Sequence, residues 1–242
     1  MWGICNAAGS YYQFEPTRSG RVIEEILKGY QGPIISDGYA GYQRLSKEGI
    51  TRVAHCWAHV RRKFYDIRDY YPDETKVILN KIGLLFEYEH QASTYEELKV
   101  IRQKQSAPLL KDIFTWLFET HQTQLPESAL AKAIAYTLKL QIGLSLFVND
   151  TSVPLSNNEA ERTLRHAVMG RKNFEGSKTI NGADTAATLY TIIDTCKKVQ
   201  LNVKDYMREV ISASLKGNKP LTPLKYAQHI RTQQQNHLST GF

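Results

Sequence analysis

Cysteine is scarce in this chain, which has only three cysteines among 242 residues. Cys5, Cys56 and Cys196 lie far apart and are odd in number. Small secreted domains that depend on disulfides carry even sets of closely spaced cysteines. The sequence therefore argues against a disulfide framework, and we expect the protein to work in a reducing cytoplasm.

Long apolar runs are also missing. No stretch reaches the roughly 18 consecutive apolar residues that a membrane-spanning helix requires. Near the N-terminus, the polar segment "NAAGS" interrupts the chain before the apolar core of a signal peptide could form. We expect no membrane span and no signal peptide, and we find no internal repeat of the kind that builds solenoids.

The chain does contain enough apolar and basic residues to narrow its class. Hydrophobic residues make up 42% of the sequence, so a packed core is expected and wholesale disorder is disfavoured. The formal net charge is +7, which favours a polyanionic partner, nucleic acid first. Net charge is weak evidence by itself, because many basic proteins bind no nucleic acid.

The first 57 residues have an α/β pattern. Residues 2–7 and 10–15 predict a hairpin, and a short helix capped by Thr17 or Ser19 follows. "PIIS" and "TRVAHCW" predict two further strands, with a turn and short helix over residues 38–49 between them. The order β-β-α-β-α-β is typical of an α/β fold. A chain that opens inside a hairpin suggests a fold whose first strand is missing, although a domain that begins with an edge hairpin gives the same pattern.

The rest of the chain is predicted to be helical. Apolar residues recur at helical spacing through residues 58–150, and further helices are predicted over residues 156–168, 180–199 and 203–215, before a polar tail. This pattern divides the chain into four segments. They are the first part of a core (1–57), an all-helical insertion (58–150), a return to the core (151–200), and a C-terminal helical element with the polar tail (201–242).

Asp37 is the first candidate for chemistry. It follows the apolar run "PIIS" and precedes Gly38. Open α/β sheets place ligands at the carboxyl ends of their strands, and a metal ion needs such an oxygen ligand held rigidly. Asp-Gly also starts turns frequently, and on the sequence alone this structural use is the more common one.

The segment "SNNEAERTLRHAV" (156–168) predicts an amphipathic helix. Glu161 lies on its polar face together with Arg162 and Arg165. One interpretation is a solvated face with a Glu161–Arg165 pair, which would stabilise the helix by about 0.2–0.5 kcal/mol. The other is a metal-binding carboxylate beside arginines that bind phosphate.

Cys56 and His59 have C-x-x-H spacing in "HCWAHVRRKF", directly before Arg61, Arg62 and Lys63. A closed structural zinc site needs four ligands, and neither Cys5 nor Cys196 has a close cysteine or histidine companion. We therefore expect this pair to pack or to form hydrogen bonds near a strand end, and the basic cluster to face a phosphate backbone. Residues 52–68 contain five basic residues and one acidic residue, and residues 162–178 show the same balance.

Four motifs, in this order, resemble the transposases of the insertion sequence 66 family: "SDGYAGYQRL", "CWAHVRRKF", "SNNEAERTLR" and "GRKNFEGS". The resemblance covers nearly the whole chain, including "PTRSG" and "ALAKAIAYTL". It implies a ribonuclease H-like mixed sheet with a large all-helical insertion and a helical C-terminal region. It also implies an Asp-Asp-Glu triad, in which Asp37 would be the second aspartate and Glu161 the glutamate.

The resemblance implies Mg²⁺ or Mn²⁺ as cofactor, held by Asp37 and Glu161, and metal-dependent cleavage and strand transfer at transposon ends. The expected partners are double-stranded DNA at the transposon ends and in the target, and self-association stays open. Phosphate contacts are expected from seven basic residues: Arg61, Arg62, Lys63, Arg162, Arg165, Arg171 and Lys172. The expected location is the nucleoid of the bacterial cytoplasm.

The sequence departs from the family pattern at its beginning. The first aspartate belongs on a strand before the hairpin, and Met1 already lies at the hairpin. We therefore expect this chain to be inactive alone. The alternatives are a non-catalytic DNA-binding remnant of a transposase and a metal-dependent nuclease of the same fold.

Overall fold

A computed structural model describes residues 1–42, 45, 51–174 and 176–239 of the chain. The chain divides into two compact units, which we describe separately. One consists of residues 18–157, and the other combines residues 1–17 with residues 158–242.

Short strands come first in the chain and helices dominate the rest. The strands and the first helix are β1 (Trp2–Cys5), β2 (Ser10–Gln13), α1 (Gly20–Ile26), β3 (Ile34–Ser36) and β4 (Val53–His55). The following helices are α2 (Trp57–Tyr65), α3 (Pro72–Gln91), α4 (Tyr95–Ile101), α5 (Ala107–Thr123), α6 (Ala129–Lys139) and α7 (Gln141–Ser145). The last four are α8 (Asn158–Asn173), α9 (Ile180–Lys198), α10 (Val203–Leu215) and α11 (Pro223–Ser239). A π-helical turn (Arg102–Ser106) joins α4 to α5, and 3-10 turns form at Ala40–Tyr42 and Leu146–Val148.

Local signals explain where several helices begin. The Ser128 side chain accepts a hydrogen bond from Ala131 N and caps α6. Thr94 and Glu97 form a reciprocal capping box at α4. Such bonds satisfy backbone N–H groups that have no partner within the helix.

In the unit of residues 1–17 and 158–242, β1 and β2 pair as an antiparallel hairpin, with Trp2 opposite Gln13 and Cys5 opposite Ser10. Helix α9 covers β2. The Thr195 hydroxyl accepts from Ser10 N at 3.1 Å and donates to Ser10 O at 3.0 Å, and the Thr191 hydroxyl accepts from Tyr12 N at 2.9 Å. Threonines one helical turn apart thus satisfy backbone groups of a strand edge, which would otherwise lack partners.

In the unit of residues 18–157, β3 and β4 pair in parallel, with Ile34 opposite Val53 and Ser36 opposite His55. The core lies among the helices that follow. Its fully buried side chains include Trp57, Phe64, Ile78, Ile82, Leu85, Ile113, Leu117, Leu130, Ile134 and Leu144. The Trp57 indole donates to Leu144 O at 3.0 Å, so the largest core side chain also satisfies its polar atom.

The structure confirms the predicted hairpin, the first short helix, both further strands and the helices over residues 180–199 and 203–215. The helix predicted over residues 156–168 runs from Asn158 to Asn173, and the polar tail contains α11. Of the short helix predicted over residues 38–49, only Ala40–Tyr42 is described as a turn, and most of the rest lies outside the described residues.

Helix is the dominant structure, and the strands of the described residues form two two-stranded sheets. Strands and helices alternate in the first part of the chain, which is consistent with the predicted α/β class. The ribonuclease H-like sheet stays a prediction.

In the described part of the chain, no single helix is long and apolar enough to cross a membrane. Residues 129–139 and 141–148 reach the necessary length and composition only as a pair, and that pair is bent by 67°.

Candidate functional site

Asp37 lies directly after β3, at the carboxyl end of the strand, as the sequence predicts. Its side chain is exposed, and Oδ1 accepts a hydrogen bond from Tyr39 N at 3.0 Å. Gly38 follows with φ +82°, in the left-handed region. The turn interpretation of Asp-Gly is thus confirmed, and the same turn presents the carboxylate to solvent in a defined position.

A tyrosine of the helical insertion holds the Asp37 backbone. The Tyr136 hydroxyl, on α6, donates to Asp37 O at 2.9 Å. A β-carbon at position 38 would lie 2.9 Å from that hydroxyl oxygen and 3.0 Å from Leu140 Cδ1. Glycine is therefore required here by both backbone conformation and space.

Two cations lie against Tyr39 and Tyr136, the two tyrosines that donate hydrogen bonds to Asp37. The Arg18 guanidinium carbon is 5.0 Å from the centre of the Tyr39 ring, and the Tyr39 hydroxyl donates to Arg18 O at 2.9 Å. Lys63 Nζ, on α2, is 5.4 Å from the centre of the Tyr136 ring. Both distances allow attraction between a cation and an aromatic face. Asp37 therefore lies in a basic setting, although it is itself acidic.

The charge of Asp37 influences three neighbouring groups. Burial raises the pKa of the Tyr42 hydroxyl, and Asp37 raises it further. The pKa of Tyr136 is raised by the same two causes in the same order. Burial lowers the pKa of His55, on β4, and Asp37 opposes that shift. These pKa shifts favour the protonated form of both tyrosines and the neutral form of the histidine.

Cys56 and His59 lie next to the end of β4, and their role stays a prediction. Cys56 is buried at the start of α2, and its backbone N–H donates to Ser36 O at 3.1 Å, which connects β3 to the helix. His59 is partly buried on the same helix. Among the described residues, no three histidine, cysteine, aspartate or glutamate side chains converge in a way that could hold a metal ion.

Arg61, Arg62 and Lys63 are all exposed on α2. The helix ends beside a tyrosine flanked by two arginines. The guanidinium carbons of Arg61 and Arg68 lie 5.7 Å and 3.9 Å from the Tyr65 ring centre, and Arg68 also donates to Tyr65 O at 2.9 Å. The predicted basic cluster is thus exposed to solvent, with the Arg61 guanidinium near the Tyr65 ring.

Glu161 lies on α8, in the other unit, and is exposed. The four cations predicted with it, Arg162, Arg165, Arg171 and Lys172, are exposed on the same helix. Helix α8 has no fully buried residue. Convergence of Glu161 with Asp37 on one metal stays a prediction, as do the DNA contacts of these cations.

Sequence reasoning missed a buried polar cluster beside α8. The Asp194 side chain, only 6% exposed, accepts from the Tyr12 hydroxyl at 2.6 Å and lies 3.1 Å from His166 Nδ1. The Tyr12 hydroxyl is also 2.7 Å from Thr163 O. Burial and the bond to Asp194 raise the pKa of Tyr12. An aspartate inside the apolar stretch "LYTIIDTC" was the available signal, because buried carboxylates need partners.

The chain belongs to the transposase IS66 family, whose pattern residues 1–185 match. Two similar curated proteins come from Sinorhizobium fredii. "Uncharacterized protein y4hP" is 31% identical over 87% of this chain, and "Uncharacterized protein y4jD" is 29% identical over 88%. The chain spans 41% and 44% of their lengths, so it corresponds to less than half of each. No solved structure matches the chain.

Proposed function

We propose that this chain forms part of a DNA transposase with a ribonuclease H-like core, which cleaves and joins phosphodiester bonds at the ends of an insertion sequence. The observation that carries the proposal is the Asp37 turn in a chain of this family. It presents an exposed carboxylate at a strand end, held by Tyr39 and Tyr136, among cations.

In this proposal, Asp37 and Glu161 are metal ligands, and the bound ion is Mg²⁺ or Mn²⁺. Hard oxygen ligands suit these ions, and the ion would polarise the scissile phosphate. Among the described residues, no group of three histidine, cysteine, aspartate or glutamate side chains could hold a metal ion. The chain spans less than half the length of the curated relatives it matches, and we expect it to lack strand-transfer activity by itself.

The proposed partners are transposon ends and target DNA at the nucleoid of the bacterial cytoplasm. The exposed cations of α2 (Arg61, Arg62, Lys63) and of α8 (Arg162, Arg165, Arg171, Lys172) would contact the phosphate backbone. Such contacts position DNA without reading its sequence. Self-association of the chain belongs to the same proposal.

Asp37→Ala and Glu161→Ala test the proposed metal site, with Asp205→Ala as the matched control. Asp205 is an exposed carboxylate on α10. Mn²⁺ binding is measured by calorimetry, and nicking and joining are measured on duplex DNA carrying transposon ends. We expect Asp37→Ala and Glu161→Ala to weaken Mn²⁺ binding, while DNA binding survives in all three variants.

Robust joining by this chain, abolished by Asp37→Ala, would show that the site is complete and would contradict the expected inactivity. Mn²⁺ binding that neither Asp37→Ala nor Glu161→Ala changes would overturn the assignment of these carboxylates.

A non-catalytic DNA-binding remnant is the second candidate, because no three-ligand group occurs among the described residues. It predicts DNA binding without any specific Mn²⁺ binding. Failure of the chain to bind DNA at all would overturn both candidates.

A further inference from the structure

The chain segment at Arg18 is fixed directly against the turn that carries Asp37. The Tyr39 hydroxyl donates to Arg18 O at 2.9 Å. Two residues later, a β-carbon at Gly20 would lie 2.8 Å from Gly41 O, so the two backbones touch where Gly20 has no side chain. The position of Arg18 relative to the turn is therefore set by main-chain contacts and not by the flexible side chain alone.

A single tyrosine contacts both the cation and the carboxylate. The Tyr39 ring lies under the Arg18 guanidinium at 5.0 Å, while the Tyr39 backbone N–H donates to Asp37 Oδ1 at 3.0 Å. The two charges also act on a common neighbour, because Asp37 raises the pKa of the Tyr42 hydroxyl and Arg18 lowers it. Arg18 thus belongs to the immediate surroundings of Asp37.

Tyr136 joins a second cation to the same turn. It lies 5.4 Å from Lys63 Nζ and donates its hydroxyl to Asp37 O. Among the described residues, no carboxylate forms an ion pair with Arg18 or Lys63. Two cations are thus held on aromatic rings beside one carboxylate. No salt bridge among the described residues neutralises the positive charge of either cation.

We propose that Arg18 and Lys63, held on Tyr39 and Tyr136, bind successive phosphates of a DNA strand and so place its backbone next to Asp37. This inference rests on the proposed function, which already assigns Lys63 to the DNA backbone, and it adds Arg18 and the placement of both cations beside the Asp37 turn. A carboxylate repels a phosphodiester, so a strand can approach Asp37 only where nearby cations offset that repulsion. An arginine already stacked on a ring loses less side-chain freedom on binding phosphate, and its planar fork suits two phosphate oxygens.

The test measures binding of a fluorescent duplex by anisotropy over a range of KCl concentrations, without divalent metal. Each phosphate contact contributes about −0.9 to the slope of log affinity against log salt, so a fourfold rise in salt weakens binding by about 3.5-fold per contact. The variants are Arg18→Gln, Arg18→Lys and Lys63→Gln. The control is Arg208→Gln, which removes an exposed arginine whose Nη1 is 3.4 Å from Asp205.

We expect Arg18→Gln and Lys63→Gln each to lower affinity and to reduce the salt slope by about 0.9. Arg18→Lys should keep the slope, because it keeps the charge, yet bind more weakly than the parent chain. Tyr39→Leu should also keep the slope and weaken binding, because it leaves the guanidinium free to move. Arg208→Gln should change neither quantity, and circular dichroism confirms that each variant is folded.

The inference is overturned if the parent chain binds DNA with a clear salt dependence and Arg18→Gln and Lys63→Gln behave like Arg208→Gln. The proposed function then stands without the Lys63 contact, because the other exposed cations of α2 and α8 would account for DNA binding. A parent chain that binds no duplex DNA overturns the proposed function, and this inference fails with it.

Discussion

Replacing Arg102 should destabilise the unit of residues 18–157 more than almost any surface change could. The Arg102 side chain is only 1% exposed, in the π-helical turn between α4 and α5. Its Nε and Nη2 donate to the two carboxylate oxygens of Glu89 at 2.7 and 2.6 Å. Its Nη1 donates to Phe147 O at 2.7 Å and to Asp150 O at 2.9 Å. One guanidinium therefore satisfies a carboxylate and two carbonyls away from water.

Further hydrogen bonds connect Asp150 to the strand that precedes Asp37. The Asp150 carboxylate accepts from Arg52 Nη2 at 2.7 Å, and Arg52 O accepts from Ile34 N at 3.0 Å. Ile34 begins β3, the strand that ends just before Asp37. Loss of Arg102 should therefore loosen the support of the sheet as well as the helices.

The magnitude follows from what Arg102→Ala would leave behind. Glu89 is only 18% exposed, so its charge would stay largely buried without its partner. Removing one member of a buried ion pair costs about 3–5 kcal/mol, against a total stability of about 5–15 kcal/mol. At about 2–4 °C per kcal/mol for a domain of this size, the Tm should fall by roughly 6–20 °C. Arg102→Lys keeps the charge but loses the fork, so an intermediate loss is expected.

Urea denaturation and calorimetry measure these losses, with Arg208→Ala as control. The Arg208 side chain is 69% exposed, and exposed ion pairs contribute only about 0–1 kcal/mol. A double replacement, Arg102→Leu with Glu89→Leu, should be less destabilising than Arg102→Ala, because no charge is left buried. If Arg102→Ala lies within about 1 kcal/mol of Arg208→Ala, the buried-pair reasoning is refuted.

Three further changes test the surroundings of Asp37 and the Tyr12–Asp194 cluster. Gly38→Ala should lower the free energy of unfolding by about 1–3 kcal/mol, which is more than Gly217→Ala should. Both glycines have a positive φ, but of the two only Gly38 has a side chain, Tyr136, close to where the new β-carbon would lie. The pKa of His55 is lower in the folded chain than in the unfolded chain, so the unfolded chain binds a proton at higher pH. The stability of the fold should therefore fall as the pH drops below about 6.5, and it should fall less steeply in His55→Gln. Tyr12→Phe should cost about 1–3 kcal/mol, because it removes the hydrogen bond that the Tyr12 hydroxyl donates to the buried Asp194 carboxylate. Because the folded pKa of Tyr12 is raised, stability should also fall as pH rises above about 10, less steeply in that variant. Urea denaturation measures the unfolding free energy in each case, and for His55→Gln and Tyr12→Phe it is repeated across these pH ranges. A loss for Gly38→Ala no larger than that for Gly217→Ala, or a pH dependence of stability equal to that of the parent chain, would contradict the corresponding assignment.

Local structure was largely predictable from the sequence. The helices at Ile180–Lys198 and Val203–Leu215 agree with their predicted ranges to within a residue. Their caps, Thr179 and Asn202, stand next to them in the chain and bond to their first backbone N–H groups. The strand that was predicted to end at Asp37 is also observed. An apolar run followed by Asp-Gly is likewise a local pattern that the sequence shows directly. The ordered motifs also identified the family.

What surrounds the predicted residues was decided only by the tertiary structure. Tyr136 meets Asp37 from 99 residues further along the chain, and Tyr12 meets Asp194 across 182. The burial of Arg102 was not predicted, because a basic residue in a helical stretch is normally exposed. Hydrophobic period and capping depend on residues one to four positions apart. The partner of a buried charge, or the aromatic ring beneath a cation, depends instead on where packing brings segments that no short-range pattern connects.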